Sequence, residues 1–350
     1  MILSLVLLVV SAVAIYLSCE VFVNGVEWVG RKAGIAENAV GTVLAAFDTA
    51  LPGSVVTLVA VAFSGGSIAA KEIGVGAALG GPLILSTVAY AVVGATMWLV
   101  RRSATSRSQV IQDRRLARDQ GWFLIIFIFK VTLGFVAFAA KPLLGAAFLL
   151  IYAIYTWTEV RSKSSEDIAE PLAPLRLRPR SKDPGIGWAS AQTVGALFVI
   201  FGGSQLFVRQ LEHLGPALGL PPTLVALLLS PIATELPETL NAVIWVRQGK
   251  HRLALANISG SMMIQATVPS AFGLFFTAWL FDGALAWAAI VTTASVLGLL
   301  FLFKRNALTP QRLAGFALFY VVFAVGLAVL WLTGAATWMP AANLTSRTWR

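Results

Sequence analysis

Ser230-Pro231-Ile232-Ala233-Thr234-Glu235-Leu236-Pro237-Glu238 lies inside an apolar run from about Leu224 to Val246, long enough to cross a bilayer. Two prolines and two carboxylates occupy its middle. An ionised carboxylate in hydrocarbon costs at least ~2.5 kcal/mol, so it requires a partner, a proton or an ion. Each proline removes an amide donor, which frees backbone carbonyls to coordinate a cation. The expectation is a helix broken near mid-membrane with acids at the break, a form suited to binding a cation. The plainer alternative is a proline-kinked helix whose acids face a polar crevice.

The surroundings of this stretch are equally apolar. Of 350 residues, 58% are hydrophobic and 12% charged, and the mean hydropathy is +0.81, values that belong to an integral membrane protein. Ten segments qualify as spans, at about 3–23, 39–63, 73–100, 121–139, 142–159, 187–208, 222–246, 253–281, 283–303 and 314–333. Their apolar residues run on without the alternation of a membrane β-barrel. The fold class expected is therefore all-α, with about ten transmembrane helices.

Basic residues set the orientation. With the N-terminus outside, the loops that face the cytoplasm collect twenty lysines and arginines, against five on the other side. This asymmetry predicts a multi-pass protein of the plasma or inner membrane with both termini extracytoplasmic. It also accounts for the net charge of +10 without nucleic acid, because the arginines are scattered among loops that favour anionic lipid.

The polar features outside the spans are few. The first apolar run lacks a basic residue before it and reads as a retained span rather than a signal peptide. Cys19 is the only cysteine, so there is no intrachain disulfide and no cysteine metal cluster; it reads as a small packing residue. Residues 161–186, rich in Ser, Pro and basic residues, read as a flexible cytoplasmic linker between an N-terminal half (1–160) and a C-terminal half (187–335), with 336–350 as a tail. His213 and His251 stand at loop edges without metal-ligand spacing, and Trp and Tyr near span ends read as interfacial anchors.

The two halves repeat each other. A shift of 185 positions aligns Cys19–Ser64 with Ser204–Gly249 without a gap and gives eleven identities in 46, among them Glu27/Glu212, Thr49/Thr234, Leu51/Leu236 and Pro52/Pro237. After a five-residue shortening, Gly80 meets Gly260 and Thr87 meets Thr267. Five spans separate each residue from its mate. An odd number turns the second copy upside down, so the chain is expected to form two inverted five-helix repeats, a design of secondary transporters.

Ala-Thr-Glu-Leu-Pro-Glu (233–238), followed by Leu255-Ala256-Asn257-Ile258-Ser259-Gly260-Ser261, resembles the second α-repeat of the sodium/calcium exchanger, or cation/Ca²⁺ antiporter, superfamily. Phe47 to Gly53 with Glu72 to Thr87 resembles a degraded first α-repeat, so the two repeats lie at about 39–100 and 222–281. The resemblance implies that Glu238 is the ion-binding glutamate, Thr234 and Thr49 the repeat threonines, and Asn257 the asparagine of the following helix. The chain also departs from the pattern. The first-repeat glutamate is Gly53, its following asparagines fall at Ala77 and Pro82, and Met262 stands where a polar ligand is usual. Two extra acids, Glu235 and Asp48, lie close by.

A site of Glu238, Glu235, Asp48, Thr234, Thr49 and Asn257, with freed carbonyls, would supply the several oxygens that a hard cation requires. Glu235 and Glu238, three residues apart, share one helix face if the turn persists across Pro237. Glu20 reads as a structural hydrogen-bonding group. Lys130, about nine residues from either end of its span, is too deep to snorkel; it pairs with an intramembrane acid or mimics a bound cation.

The function expected is secondary cation antiport, with Na⁺ and/or Ca²⁺ as cargo, alternating access around the acids and no resident cofactor. Proton-coupled or other-cation transport, or a non-transporting scaffold derived from the exchanger fold, are the alternatives. An enzyme is not expected, since there is no zinc-ligand histidine pair and no serine in a nucleophile motif.

Overall fold

The computed structural model describes residues 2–32, 51–102, 114–162, 173–181 and 183–334. Its described elements are all helical: α1 (Ile2–Lys32), α2 (Leu51–Ala62), α3 (Ile68–Ile84), a π-helical turn (Leu85–Ala89), α4 (Tyr90–Arg102), α5 (Arg114–Gly134), α6 (Leu143–Ser162), α7 (Ile186–Leu218), α8 (Pro222–Arg247), α9 (His251–Phe276), α10 (Gly283–Lys304), α11 (Pro310–Ala314) and α12 (Ala317–Leu332). Each of the ten expected spans has a helical counterpart among the described residues, with α3, the π turn and α4 forming one long crossing; positions 39–50 of the second span lie outside the described residues. By length and composition six helices suffice to cross a membrane, and α2 and the apolar part of α6 are shorter. Isoleucines, leucines and valines left exposed on α1, α7 and α12 form the apolar surface that lipid covers.

The repeat is visible in the chain directions. In α1 and α7, Gly25 abuts Thr193 while Ile15 abuts Gly203, so these repeat mates run antiparallel. In α2 and α3, Val61 packs on Gly74 while Gly53 and Gly81 both face Gln265, which makes an antiparallel hairpin. On α3, Gly76 faces Thr223 and Ala226 whereas Gly80 faces Leu227 and Pro231, so α3 runs parallel to α8. It follows that α2 runs antiparallel to α8, its own mate. Two pairs of mates thus have the inverted relation that the odd span count requires.

Small residues make the α3–α8 contact possible. A Cβ on Gly76 would stand 2.7 Å from the Thr223 carbonyl, and one on Gly80 only 2.3 Å from Pro231 Cγ. Gly76 and Gly80 are one turn apart, and their bare backbone lets the two helices touch. Past Pro82 the helix widens into its π turn, where Thr87 Oγ1 donates back to Leu83 O; its mate Thr267 does the same to Met263 O.

Three expectations change at this level. The first is the break in span seven: α8 is helical throughout its 26 residues, with Pro231 and Pro237 inside it. Pro231 packs against Gly80 of α3, and the helix continues through both prolines. The second is the flexible linker, whose later part is docked. Leu175 is buried with Trp28 and Ala189, Asn24 and Trp28 donate to Ala173 O, and Gln192 accepts from Leu177 N–H. Polar residues of α1 and α7 supply the partners that its irregular backbone needs. The third concerns the aromatic anchors: Trp28 and Trp279 are buried, and the Trp279 indole donates to Lys130 O at 3.1 Å.

Candidate cation site

The site grows from the inward face of α8. Thr234, Glu235, Pro237, Glu238 and Thr239 are buried, whereas Ile232, Leu236, Leu240 and Ile244, spaced by four, are half exposed on the opposite face. Since the helix persists across Pro237, Glu235 and Glu238 do share a face, at 1% and 0% exposure. The prolines act on the carbonyls without breaking the helix. Pro231 and Pro237 lack the N–H groups that Leu227 and Ala233 carbonyls would accept, so two backbone oxygens lose their helical donors, one at Ala233 beside Thr234 and one nearly two turns before it.

Glu235 has a defined environment. Its Oε1 accepts from Gln265 Nε2 at 2.7 Å and from Thr234 Oγ1 at 2.9 Å, while its Oε2 is enclosed without a hydrogen-bond partner. A buried carboxylate oxygen lacking a donor is an available cation ligand. Thr239 Oγ1 donates to Glu235 O at 3.0 Å, which holds the turn that carries the acid.

Gln265 was missed by sequence reasoning. It lies three residues, nearly one turn, beyond Met262, where the motif ends, and the signal that could have found it is that it is the only amide of its span past Asn257. It also explains Gly53. A Cβ at Gly53 would stand 2.4 Å from Gln265 Nε2 and 3.0 Å from Glu235 Oε1, and one at Gly81 would stand 3.0 Å from Gln265 Cδ. The amide of Gln265 fills the space beside the position where the family pattern has its first-repeat glutamate.

The remaining candidates divide. Asp48 and Thr49 lie outside the described residues. Asn257 is on α9 toward the α8–α9 turn, eight residues (~12 Å along the axis) before Gln265, and its Nδ2 is enclosed without a partner. Thus Thr234, Glu235 and Gln265 meet directly, Glu238 shares their face, and no hydrogen bond joins Asn257 to Glu235. Met262, the expected loss of a polar ligand, lies 3.9 Å from Gln120 Nε2; that amide also donates to Tyr90 Oη at 2.9 Å and Ser259 Oγ at 3.2 Å. Glu20 pairs with Arg176 of the docked linker at 3.6 Å, and Cys19 is a buried residue of the α1 core.

Antiparallel repeat mates around carboxylates buried in a membrane helix define an inverted-repeat membrane transporter. The chain belongs to the sodium/calcium exchanger protein family, whose model matches residues 3–160 and 188–342, one block for each half. It is thereby a multi-pass membrane protein of the cation/Ca²⁺ antiporters and not an enzyme.

Curated relatives include "Putative antiporter CaxA" of Alkalimonas amylolytica, 24% identical over 310 residues (87% of this chain, 91% of that one). A second is "Uncharacterized membrane protein MJ0091" of Methanocaldococcus jannaschii, 21% identical over 264 residues (75% and 79%). Among solved structures, the H⁺/Ca²⁺ exchanger CAX is similar with a TM-score of 0.72 at 15% identity, covering 95% of this chain and 88% of that one. The sodium–calcium exchanger NCX_Mj is similar with a TM-score of 0.57 at 20% identity, covering 93% and 99%.

Proposed function

We propose that the protein is a secondary active antiporter that carries a hard inorganic cation, Ca²⁺ foremost, through alternating access around Glu235 and Glu238. The observation that carries this reading is the pair of fully buried carboxylates one turn apart on the inward face of α8, with an unpartnered Glu235 Oε2 and an amide from α9. Two such carboxylates match the charge of one divalent ion, and the Ala233 carbonyl freed by Pro237 offers a neutral oxygen to its shell. Names among the related proteins accord with this cargo, since both CAX and NCX_Mj are Ca²⁺ exchangers.

The driving ion is a proton in the reading we favour over Na⁺. The carboxylates that hold the divalent ion are also the groups that can take up protons when it leaves, so one pair serves both cargoes in turn. A Na⁺ cycle needs further oxygen ligands for several ions, and the first repeat has glycine at position 53 and alanine at 77. In proteoliposomes an imposed pH gradient is expected to drive Ca²⁺ uptake, a Na⁺ gradient to drive it far less, and Glu238→Gln to abolish both. Uptake driven by Na⁺ alone would replace the proton by Na⁺, and unchanged flux in Glu238→Gln would remove the site.

The proposed orientation, with both termini outside, rests on the distribution of basic residues. In a Cys19→Ser background, a cysteine at exposed position 180 is expected to label from the cytoplasm and one at exposed position 213 from outside. Labelling of both from one side would reject the inverted topology.

A further inference from the structure

Past Asp119, Lys130 is the only charged residue of α5, and the transport reading above leaves it without a role. Its side chain is fully buried. Its Nζ donates to Ala78 O of α3 at 3.0 Å and reaches Gln265 O of α9 at 3.5 Å, while the ring of Phe127 lies 5.0 Å away. Among the described residues no carboxylate lies within the 4.0 Å of an ion pair.

The two acceptors have something in common. In an α-helix the carbonyl of residue i accepts from the N–H of residue i+4. Four residues beyond Ala78 stands Pro82, and four beyond Gln265 stands Pro269, neither of which has an N–H. Both carbonyls are therefore without a helical donor, inside the protein, where an unsatisfied oxygen is costly. An ammonium brings three N–H donors; two freed carbonyls and an aromatic face are three acceptors. Lysine is bound here as a small cation would be, by backbone oxygens that prolines leave free within two helices.

Its place relative to the acids matters as much. Gln265 offers its backbone oxygen to Lys130 and its side-chain amide to Glu235 Oε1 at 2.7 Å. The fixed charge thus sits one residue from the acidic site, beside the Gln265 amide that Gly53 and Gly81 face and where the first repeat offers no acid at position 53.

We infer that Lys130 is a built-in cation. It fills a carbonyl-lined cation position between α3, α5 and α9, and confines exchangeable ions to the Glu235–Glu238 side. Its geometry stands independently, whereas its consequence for exchange rests on the antiporter reading. The lysine removes one exchangeable charge from the cycle and replaces it with a charge that stays with the protein.

The test uses the purified full-length chain in detergent, with ammonium chloride titrated against choline chloride at constant ionic strength. Lys130→Met keeps the apolar stem and removes the charge, leaving two carbonyls open. Its thermal midpoint is expected to fall, then to climb as ammonium rises to ~100 mM, in the manner of a ligand that binds the native state. The unmodified protein and Lys130→Arg should show no such climb. A second variant, Lys130→Met with Pro82→Ala and Pro269→Ala, returns the two missing N–H donors; it should recover stability and be indifferent to ammonium.

The inference is overturned if Lys130→Met matches the unmodified midpoint without ammonium dependence. It is equally overturned if both the single variant in ammonium and the proline-free variant fail to fold, because supplying the missing donors would then not be the lysine's task. Absence of Ca²⁺ flux from the unmodified protein would remove the antiporter reading and leave these stability results standing.

Discussion

The helix pair α2–α3 and the pair α8–α9 are the same unit in opposite orientations, and they differ in what they bring to the centre. The second pair contributes Thr234, Glu235, Glu238 and Gln265, all buried. The first contributes Gly53 where its mate has Glu238, Ala77 where its mate has Asn257, and Leu85 where its mate has Gln265. What the first pair offers is close approach: bare backbone at Gly53 and Gly81 lets Gln265 and Glu235 reach the midline, and a proline-freed carbonyl holds Lys130. Duplication supplied two copies of this unit, and in the proposed site one copy brings the buried acids while, over its described residues, the other makes room. An inverted repeat therefore does not require a symmetric site.

The comparison breaks most sharply at Gly53. Gly53→Glu restores the residue that symmetry would place there, but its Cβ would stand 2.4 Å from Gln265 Nε2. The expected outcome is loss of stability by roughly 1–3 kcal/mol from overpacking, with Ca²⁺ binding lost alongside it. Adding Gln265→Ala should recover most of the stability, and a double-mutant cycle on thermal midpoints would read the coupling. Additive effects of the two changes would mean that Gly53 and Gln265 do not compete for one space.

A smaller effect is expected at Gln265 itself. Gln265→Leu removes the amide that donates to Glu235 Oε1 while keeping a similar volume and the backbone oxygen under Lys130. Loss of a positioning hydrogen bond to a metal-ligand carboxylate should weaken Ca²⁺ binding roughly 10–100-fold. The matched change in the other pair, Leu85→Ala, should alter packing stability alone. Titration calorimetry on both variants separates the two halves, and an equal loss of affinity in each would make the site symmetric after all.

The smallest effect lies at the docked linker. Lys32 donates to Asp183 and holds its carboxyl below the usual carboxylate range. Because the folded value is the lowered one, this contribution is present above the ordinary carboxylate range and is lost as pH falls through the folded value. The pair is exposed, so acidification or Asp183→Asn should loosen 173–181 only slightly. Hydrogen exchange at Leu177 N–H, held by Gln192, would register it. Unchanged protection of that amide, relative to its intrinsic exchange rate, between neutral and acid pH would show that the pair does not hold the segment.

Much of this architecture could be read from residues alone. Apolar run length gave the spans, and an odd number of them between Thr49 and Thr234 gave the inversion, because both follow from local composition and counting. Two carboxylates inside one such run marked α8 for the same reason. Other features depend on which residues meet across helices, and no local signal reveals that. Lys130 carried its depth in the sequence, but its acceptors are fixed by α3 and α9 crossing α5. Gln265 lies beyond the motif, so its importance emerges only where it fills the space beside Gly53. The break expected in α8 failed because a proline's lost hydrogen bond need not end a helix that Gly76 and Gly80 hold from the side.

The central claim is that cation binding belongs to the acids of the second repeat. Ca²⁺ binding to the purified protein, measured from pH 5 to 8 beside Glu235→Gln and Glu238→Gln, tests it most directly. The unmodified protein should bind more weakly as pH falls, because protons compete for the same carboxylates. Each variant should lose roughly 100-fold in affinity, ~2.7 kcal/mol, together with most of that pH dependence. Curves for both variants that superimpose on the unmodified protein would place the cation elsewhere and contradict the account.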